Sequence, residues 1–165
     1  MQLPHMMNER IVDTEIVLIP YYPNPDEALP WYQDYDVVKM VDNRDELYDL
    51  DLLNAMYTYL STNGYCYYIR YNGKLVGDVS LRNDKETAIV VCKEYQNKGI
   101  GCRCIREMLK LAEELGYDEV KARIYPFNKQ SIRMFESVGF VKIEEKIPGL
   151  VRNDLMYSYG IEDNR

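Results

Sequence analysis

Residues Glu94 to Cys104 read EYQNKGIGCRC. Gly99 and Gly101 bracket Ile100. Three polar residues, Gln96, Asn97 and Lys98, come before them, and an amphipathic run follows. The first N–H groups of a helix have no intrahelical partner, and partial positive charge gathers there. Glycine lets the backbone turn tightly and come close to a bound group. The stretch therefore has the chemistry of an anion cradle at a helix start, suited to a phosphate or pyrophosphate. Gln96, Asn97 and Lys98 add side-chain donors, and Lys98 a charge. A Gly-x-Gly also occurs in plain turns, so the flanking segments decide.

Upstream lies ETAIVVCK (86–93), β-branched and apolar, which reads as a central strand buried almost along its whole length. YCYYIRYNGKLVGDVSLR (65–82) reads as a hairpin turning at Asn72-Gly73. Thr14–Pro20 is a first strand stopped by PYYPNP. DEALPWYQDYDVVKMV (26–41) reads as a short helix. RDELYDLDLLNAMYTYLSTNG (44–64) reads as a second helix, with Leu47, Leu50, Leu53 and Met56 or Tyr57 on one face and Gly64 as its stop.

Downstream, CIREMLKLAEELG carries Ile105, Met108, Leu109, Ala112 and Leu115 at helical spacing and ends at Gly116. DEVKARIY (118–125) is a strand. NKQSIRMFESVG (128–139) is a helix with Asn128 as cap, Ile132, Phe135 and Val138 inward, and Gly139 at its end. FVKIEEKI (140–147) and DLMYSYGI (154–161) close the chain as strands. This order predicts an α+β fold with a mixed, mostly antiparallel central sheet flanked by helices. The 165 residues suit one domain, 1–165, with 1–13 as an N-terminal tail.

Composition narrows the function. Hydrophobic residues make up 47% and charged residues 28%, as in ordinary globular proteins. No apolar run approaches the ~20 residues that span a bilayer. The first residues lack the basic-then-apolar order of a signal peptide, so no membrane association is expected and the cytoplasm is the expected location. The net charge of −7 is concentrated in residues 26–51, where nine carboxylates face two cations. That disfavours a nucleic-acid partner, which needs a basic face, and leaves open a cationic partner or a solvated acidic surface. Four cysteines without a C-x-x-C pair and a single histidine, His5, argue against a metal site. Reduced thiols are the simpler reading.

Other phosphate loops fit poorly. The dinucleotide fingerprint would require glycine at Cys104. A Walker A loop ending at Gly73-Lys74 would require glycine at Tyr68 and Ser or Thr at Leu75. Residues 96–101 instead follow an apolar strand and open a helix. About 30 residues later come Asn128-Lys129-Gln130-Ser131 and then MFESVGF.

This pair resembles the GNAT superfamily of acyl-CoA-dependent N-acyltransferases, whose loop has the form [Gln/Arg]-x-x-Gly-x-[Gly/Ala] and whose later helix reads Asn-x-x-[Ala/Ser]-x-x-x-Tyr-x-x-x-Gly-Phe. The likeness is specific over residues 75–145 and weak before 45. It implies acetyl-CoA as acyl donor and no metal. The pyrophosphate would sit on the amides of Gln96, Asn97, Lys98, Gly99, Ile100, Gly101 and Cys102. The pantetheine arm would run along the backbone of Ile89 and Val91, with Asn128, Ser131 and Phe135 on its far side. The acceptor would be a small-molecule amine, with a cationic one favoured, or a peptide amine. A homodimer is compatible with the resemblance.

The same resemblance implies direct attack of the amine on the thioester, with the N–H near Val91 steadying the oxyanion. An amine with a pKa of ~10.4 must lose a proton first. Glu86 aligns with a strand glutamate that takes it in some members. Its parity is opposite to that of Ile89 and Val91, so a bulge in that strand is expected if it serves. A surface acid at a strand start accounts for Glu86 equally well. Where many members carry a tyrosine that protonates the leaving thiolate, this chain has Phe135. Three readings follow: the thiolate leaves unaided, another tyrosine serves (Tyr125 foremost, with Tyr157 and Tyr159), or the domain is a catalytically silent acyl-CoA-binding module. Trp31, the tyrosine-rich hairpin and Cys92 are read as packing residues.

Overall fold

The computed structural model describes residues 7–144 and 154–161. Within these, eight strands form one sheet: β1 (Arg10–Ile11), β2 (Ile16–Pro20), β3 (Gly64–Tyr71), β4 (Lys74–Arg82), β5 (Glu86–Val91), β6 (Glu119–Ile124), β7 (Val141–Ile143) and β8 (Leu155–Gly160). The sheet order is β1-β2-β3-β4-β5-β6-β8-β7. Each neighbouring pair is antiparallel except β5 and β6, which run parallel. The helices are α1 (Pro25–Ala28), α2 (Tyr35–Asp42), α3 (Leu50–Thr62), α4 (Ile100–Glu114) and α5 (Lys129–Val138). This is the expected fold class.

The two faces of the sheet carry different helices. Tyr57 of α3 reaches Asp78 on β4, so α3 covers the face of Tyr68 and Asp78, which are cross-strand partners. Tyr67 points the other way and lies against Arg10 and Glu114 of α4. Ile100, Cys104, Ile105, Met108, Leu111 and Ala112 of α4 are buried on that second face.

Several elements depart from the sequence reading. The expected helix over 26–41 divides. Leu29–Gln33 forms a tighter 3₁₀ turn, and α2 restarts after Asp34, whose carboxylate accepts from the N–H of Asp36 and Val37. Pro30 deprives the turn of a backbone donor, and Asp34 then caps a fresh helix. The next helix begins only at Leu50, because Asp49 caps it at the Leu52 N–H. Leu47 lies ahead of the helix and Leu50 is exposed, so Leu53 and Tyr57 carry the buried stripe. The expected tail enters the sheet: Arg10 and Ile11 pair with Leu18 and Val17. Arg10 also clasps Glu114 at 2.7 and 3.0 Å and Glu107 at 3.0 Å. The strand expected over 140–147 is seen as Val141–Ile143, and residues 145–147 lie outside the described residues.

β5 is not continuously buried, since Ala88 is exposed and Ile89 and Val91 are half-buried. The bulge expected beside Glu86 is also absent from β5, whose register with β4 is unbroken from Gly77–Val91 to Leu81–Thr87. The register shift lies instead between β3 and β4, at Ile69/Arg70. Gly77 lets β4 approach β5 closely: a Cβ there would collide with the carbonyl oxygen of Val90, a backbone atom with no freedom to yield. Gly77→Ala is therefore expected to lower the urea midpoint by the equivalent of about 1–3 kcal/mol. Chemical denaturation of the two proteins side by side measures it.

Candidate active site

The site begins where the sheet comes apart. The N–H of Cys92 donates to the Val76 carbonyl at 2.8 Å, and β5 pairs regularly with β4 up to that point. Alternation in an antiparallel ladder turns Ala88, Val90 and Cys92 toward β4, and Ile89 and Val91 away from it. β6 lies on that other side but pairs with β5 only at Glu86–Lys121 and Thr87–Ala122. Beyond Thr87 the strands part. Gln96 Nε2 takes the Val91 carbonyl at 3.0 Å. Among the described residues nothing pairs with what remains of the edge: the N–H groups of Ile89 and Val91 and the carbonyl of Ile89. This edge opens onto a cleft of about 390 Å³.

The loop from Tyr95 to Cys102 closes one end of the cleft. Asn97 and Gly99 adopt left-handed backbone angles, with φ of 64° and 75°, and Lys98 between them does not. Such alternation turns successive N–H groups into one concavity. Among the described residues, the amides of residues 97–102 donate to no backbone or side-chain acceptor. Together with the start of the fifteen-residue α4, they form a site for a negatively charged group. Arg103 sets the loop from behind. Its Nε and Nη2 donate to the carbonyls of Gly99 and Lys98, both at 3.2 Å. Its Nη1 is held by Asp13 at 2.9 Å and Glu15 at 2.8 Å. The carbonyls are thus drawn to the back and the N–H groups face the cleft.

The opposite bank is α5. Asn128 caps it, accepting from the Ser131 N–H at 3.1 Å, as expected. Gln130 Nε2 bonds Asn97 Oδ1 at 2.9 Å, tying this bank to the loop. Arg133 and Met134 also face the cleft. α2 lies across the mouth. The Asn128 amide donates to the Met40 carbonyl at 3.3 Å, Lys39 stands over the Phe127 ring, and Asp36 pairs with Lys93 at 2.6 Å. Val37, Met40 and Val41 of α2 complete the wall.

The structure brings together Ile89, Val91, Gln96, Asn97, Gly99, Ile100, Gly101, Cys102, Asn128 and Ser131 around this cleft. It places the other expected residues elsewhere. Lys98 is exposed and outside the lining. Phe135 is buried edge-on against Phe140 and does not face the cleft. Glu86 sits between Arg82 at 3.3 Å and Arg123 at 3.5 Å, away from the lining. Tyr125 stacks on Phe127, Tyr157 is buried, and Tyr159 packs on Phe140. Burial pushes the Cys92 thiol up, which keeps it protonated and packed rather than nucleophilic. Trp31 is buried edge-on to Tyr68.

Sequence reading passed over Arg133 and Gln130, which sit on the exposed side of a helix otherwise read for its apolar stripe. It also passed over Asp78, the one acid inside the apolar run LVGDVSL. Asp78 is 4% exposed. Its Oδ2 accepts from the hydroxyls of Tyr32 at 2.6 Å and Tyr57 at 2.8 Å. Burial pushes its carboxyl up to about 6, and the two hydroxyl bonds oppose that rise.

A mixed sheet parted between two parallel strands, with a helix-start anion cradle at the gap, is the architecture of the GNAT acetyltransferases. The sequence model of the Acetyltransferase (GNAT) family matches residues 26–140, and the chain belongs to that family. A Bacillus subtilis (strain 168) protein named "Putative phosphinothricin acetyltransferase YwnH" is 33% identical over 66 residues, which is 40% of each chain. An acetyltransferase of Agrobacterium tumefaciens superposes with a TM-score of 0.77 at 17% identity, covering 96% of this chain and 98% of that one. The spermidine N-acetyltransferase of Vibrio cholerae, solved with CoA and spermine, superposes with a TM-score of 0.73 at 16% identity, covering 91% and 98%. At these identities the structural likeness is one of fold.

Asp78 makes a prediction about stability. Its folded carboxyl, at about 6, lies above the ordinary value of 3.8. Between those values the native state holds a proton that the unfolded chain has released. The stabilisation is complete below about pH 4 and is lost as the pH rises through 6. Two pKa units correspond to about 3 kcal/mol. Asp78→Asn should therefore flatten the pH dependence of stability between 4 and 7 and raise the melting temperature at pH 7–8, as read from thermal unfolding of both proteins across that range.

Proposed function

We propose that the protein transfers an acetyl group from acetyl-CoA to a primary amine. The observation that carries this reading is the conjunction of an unpartnered amide cradle, residues 97–102, with an unpartnered strand edge at Ile89 and Val91. A donor that ends in a pyrophosphate and carries amide groups along an extended arm satisfies both. Phosphate oxygens take the cradle amides, and arm amides take the strand edge as an added strand would. Arg133 adds a positive charge on the facing bank. Gly101 also brings the loop backbone close to the facing bank: a Cβ there would touch Met134 carbons at 3.5 and 3.7 Å.

The donor supplies an acyl carbon activated as a thioester. The chain's own part is to hold that carbon at the parted strands, with the Val91 N–H toward the carbonyl oxygen. The amine nitrogen forms the new C–N bond, the C–S bond breaks, and the sulfur leaves as thiolate. With a reference thiol pKa of ~8.5, the thiolate leaves without a dedicated acid, in keeping with Phe135 packed in the core. A cationic small amine is the favoured acceptor, given the carboxylates of residues 26–51 on and around α2, the helix that walls the cleft, and a peptide amine comes next.

Calorimetric titration of acetyl-CoA into the protein and into Gly101→Asp tests the reading. Micromolar binding is expected, lost in the variant because a carboxylate then occupies the anion site. Absence of binding by the unaltered protein would overturn the acetyltransferase reading. Binding without transfer to any amine would favour a silent acyl-CoA-binding module.

A further inference from the structure

The GNAT likeness leaves Asp78 without a role, and its surroundings are unusual. It lies mid-strand on β4, where its cross-strand partners are Tyr68 on β3 and Val90 on β5. The titratable groups around it are Tyr32 from the turn before α2, Tyr48 ahead of α3, Tyr57 on α3, and Cys66 and Tyr68 on β3. Every one of these is neutral at physiological pH, and burial pushes each further from ionising. Among the described residues no lysine or arginine pairs with Asp78. Both tyrosine hydroxyls bond Oδ2, and Oδ1 accepts from none of the described residues. A buried carboxylate without a cation is costly, and an apolar side chain would serve packing better.

Its position adds direction. Val90, directly opposite on the same face of the sheet, lines the cleft, as does Val37 of α2, while Asp78 lies just behind the lining. The carboxyl is thus one side chain from the cleft. It stands on the face away from α4, where Tyr32 and Tyr57 present hydroxyls to it and the rings of Tyr57, Tyr68 and Trp31 pack on one another. A carboxylate with no cation of its own, and with one oxygen given no donor among the described residues, can receive an ammonium group.

Resting on the acetyltransferase reading, we propose that Asp78 is the proton acceptor of the acceptor half-site. It receives the substrate's ammonium at Oδ1 and takes one proton from it. The balance is complete. R–NH₃⁺ and the carboxylate give R–NH₂ and the carboxylic acid. The freed lone pair forms the C–N bond as the C–S bond breaks. The second nitrogen proton passes to the leaving thiolate, and Asp78 returns its proton to water. Tyr32 and Tyr57 are positioning residues that hold Oδ2 and stabilise the ionised form. The assignment names the acceptor's chemistry: an amine that is protonated in solution, presented on a side chain or chain slender enough to pass Val90.

The test uses n-butylamine and spermidine as ammonium probes and hydroxylamine as a nucleophile already neutral at pH 7. For the unaltered protein, kcat/KM for the two amines should fall on the acid side with a midpoint near pH 6. Asp78→Asn should lower transfer to them by 10²-fold or more, abolish that limb, and spare transfer to hydroxylamine and the affinity for acetyl-CoA. Tyr57→Phe removes a hydrogen bond from the carboxylate and should move the limb to higher pH, which a packing role would not do. Amine transfer by Asp78→Asn within threefold of the unaltered protein, with the limb in place, would overturn the proposal. So would acetyl-CoA binding by the unaltered protein with transfer to neither ammonium probe. Failure to bind acetyl-CoA at all would instead strike at the acetyltransferase reading.

Discussion

Everything functional in this molecule depends on the parallel ladder between β5 and β6 stopping after one pair of bridges. Glu86 and Thr87 find partners on β6, and the next residues do not. Backbone groups of a strand edge that no neighbouring strand takes must find partners elsewhere, here in the cleft. The fold holds it open because each strand is committed on its other side, β5 to β4 and β6 to β8. An edge left open in this way has the hydrogen-bonding groups that a ligand with amides of its own could pair with.

The surrounding elements follow from that opening. The chain must turn from the end of β5 into α4 at the mouth of the gap, and it does so with two left-handed residues, so the same turn that redirects the backbone collects its N–H groups. Arg103 then fixes which way the loop faces by taking the carbonyls, while Asp13 and Glu15 on the β1–β2 side hold the arginine. The loop's conformation is therefore set from a part of the sheet far from the cleft. α2, bonded to α5 through Asn128 and to the turn after β5 through Lys93, closes the wall of the cleft between them.

Much of this was legible in the residues. The glycine loop, the amphipathic stripe of α4 and the Asn128 cap carry local signals that need no tertiary context, and each fell where the sequence put it. The failures were of two kinds. Competing local signals hid boundaries: Pro30 and Asp34 divided a helix that hydrophobic spacing joined, and the Asp49 cap started α3 later than its leucines suggested. Long-range effects were invisible: β5 reads as a fully buried strand, yet half of its length faces a cleft because β6 diverges. Arg10 reads as tail until Glu107 and Glu114 are seen beside it. Glu86 drew notice as the acid nearest the family's pattern, whereas two arginines occupy it. Asp78 passed unremarked because a single acid in an apolar strand has no periodicity to announce it.

The clasp of Arg10 has a consequence for how the chain is made. Its partners lie 97 and 104 residues further along. During synthesis at roughly 5–20 residues per second, the first strand emerges on the order of ten seconds before α4 exists to receive it. Until then the Arg10 guanidinium lacks both of its α4 carboxylates, whereas Glu107, once made, already has Lys110 one turn along at 3.8 Å. β1 can pair with β2 early, and the Arg10 clasp onto Glu107 and Glu114 is added only once α4 has packed.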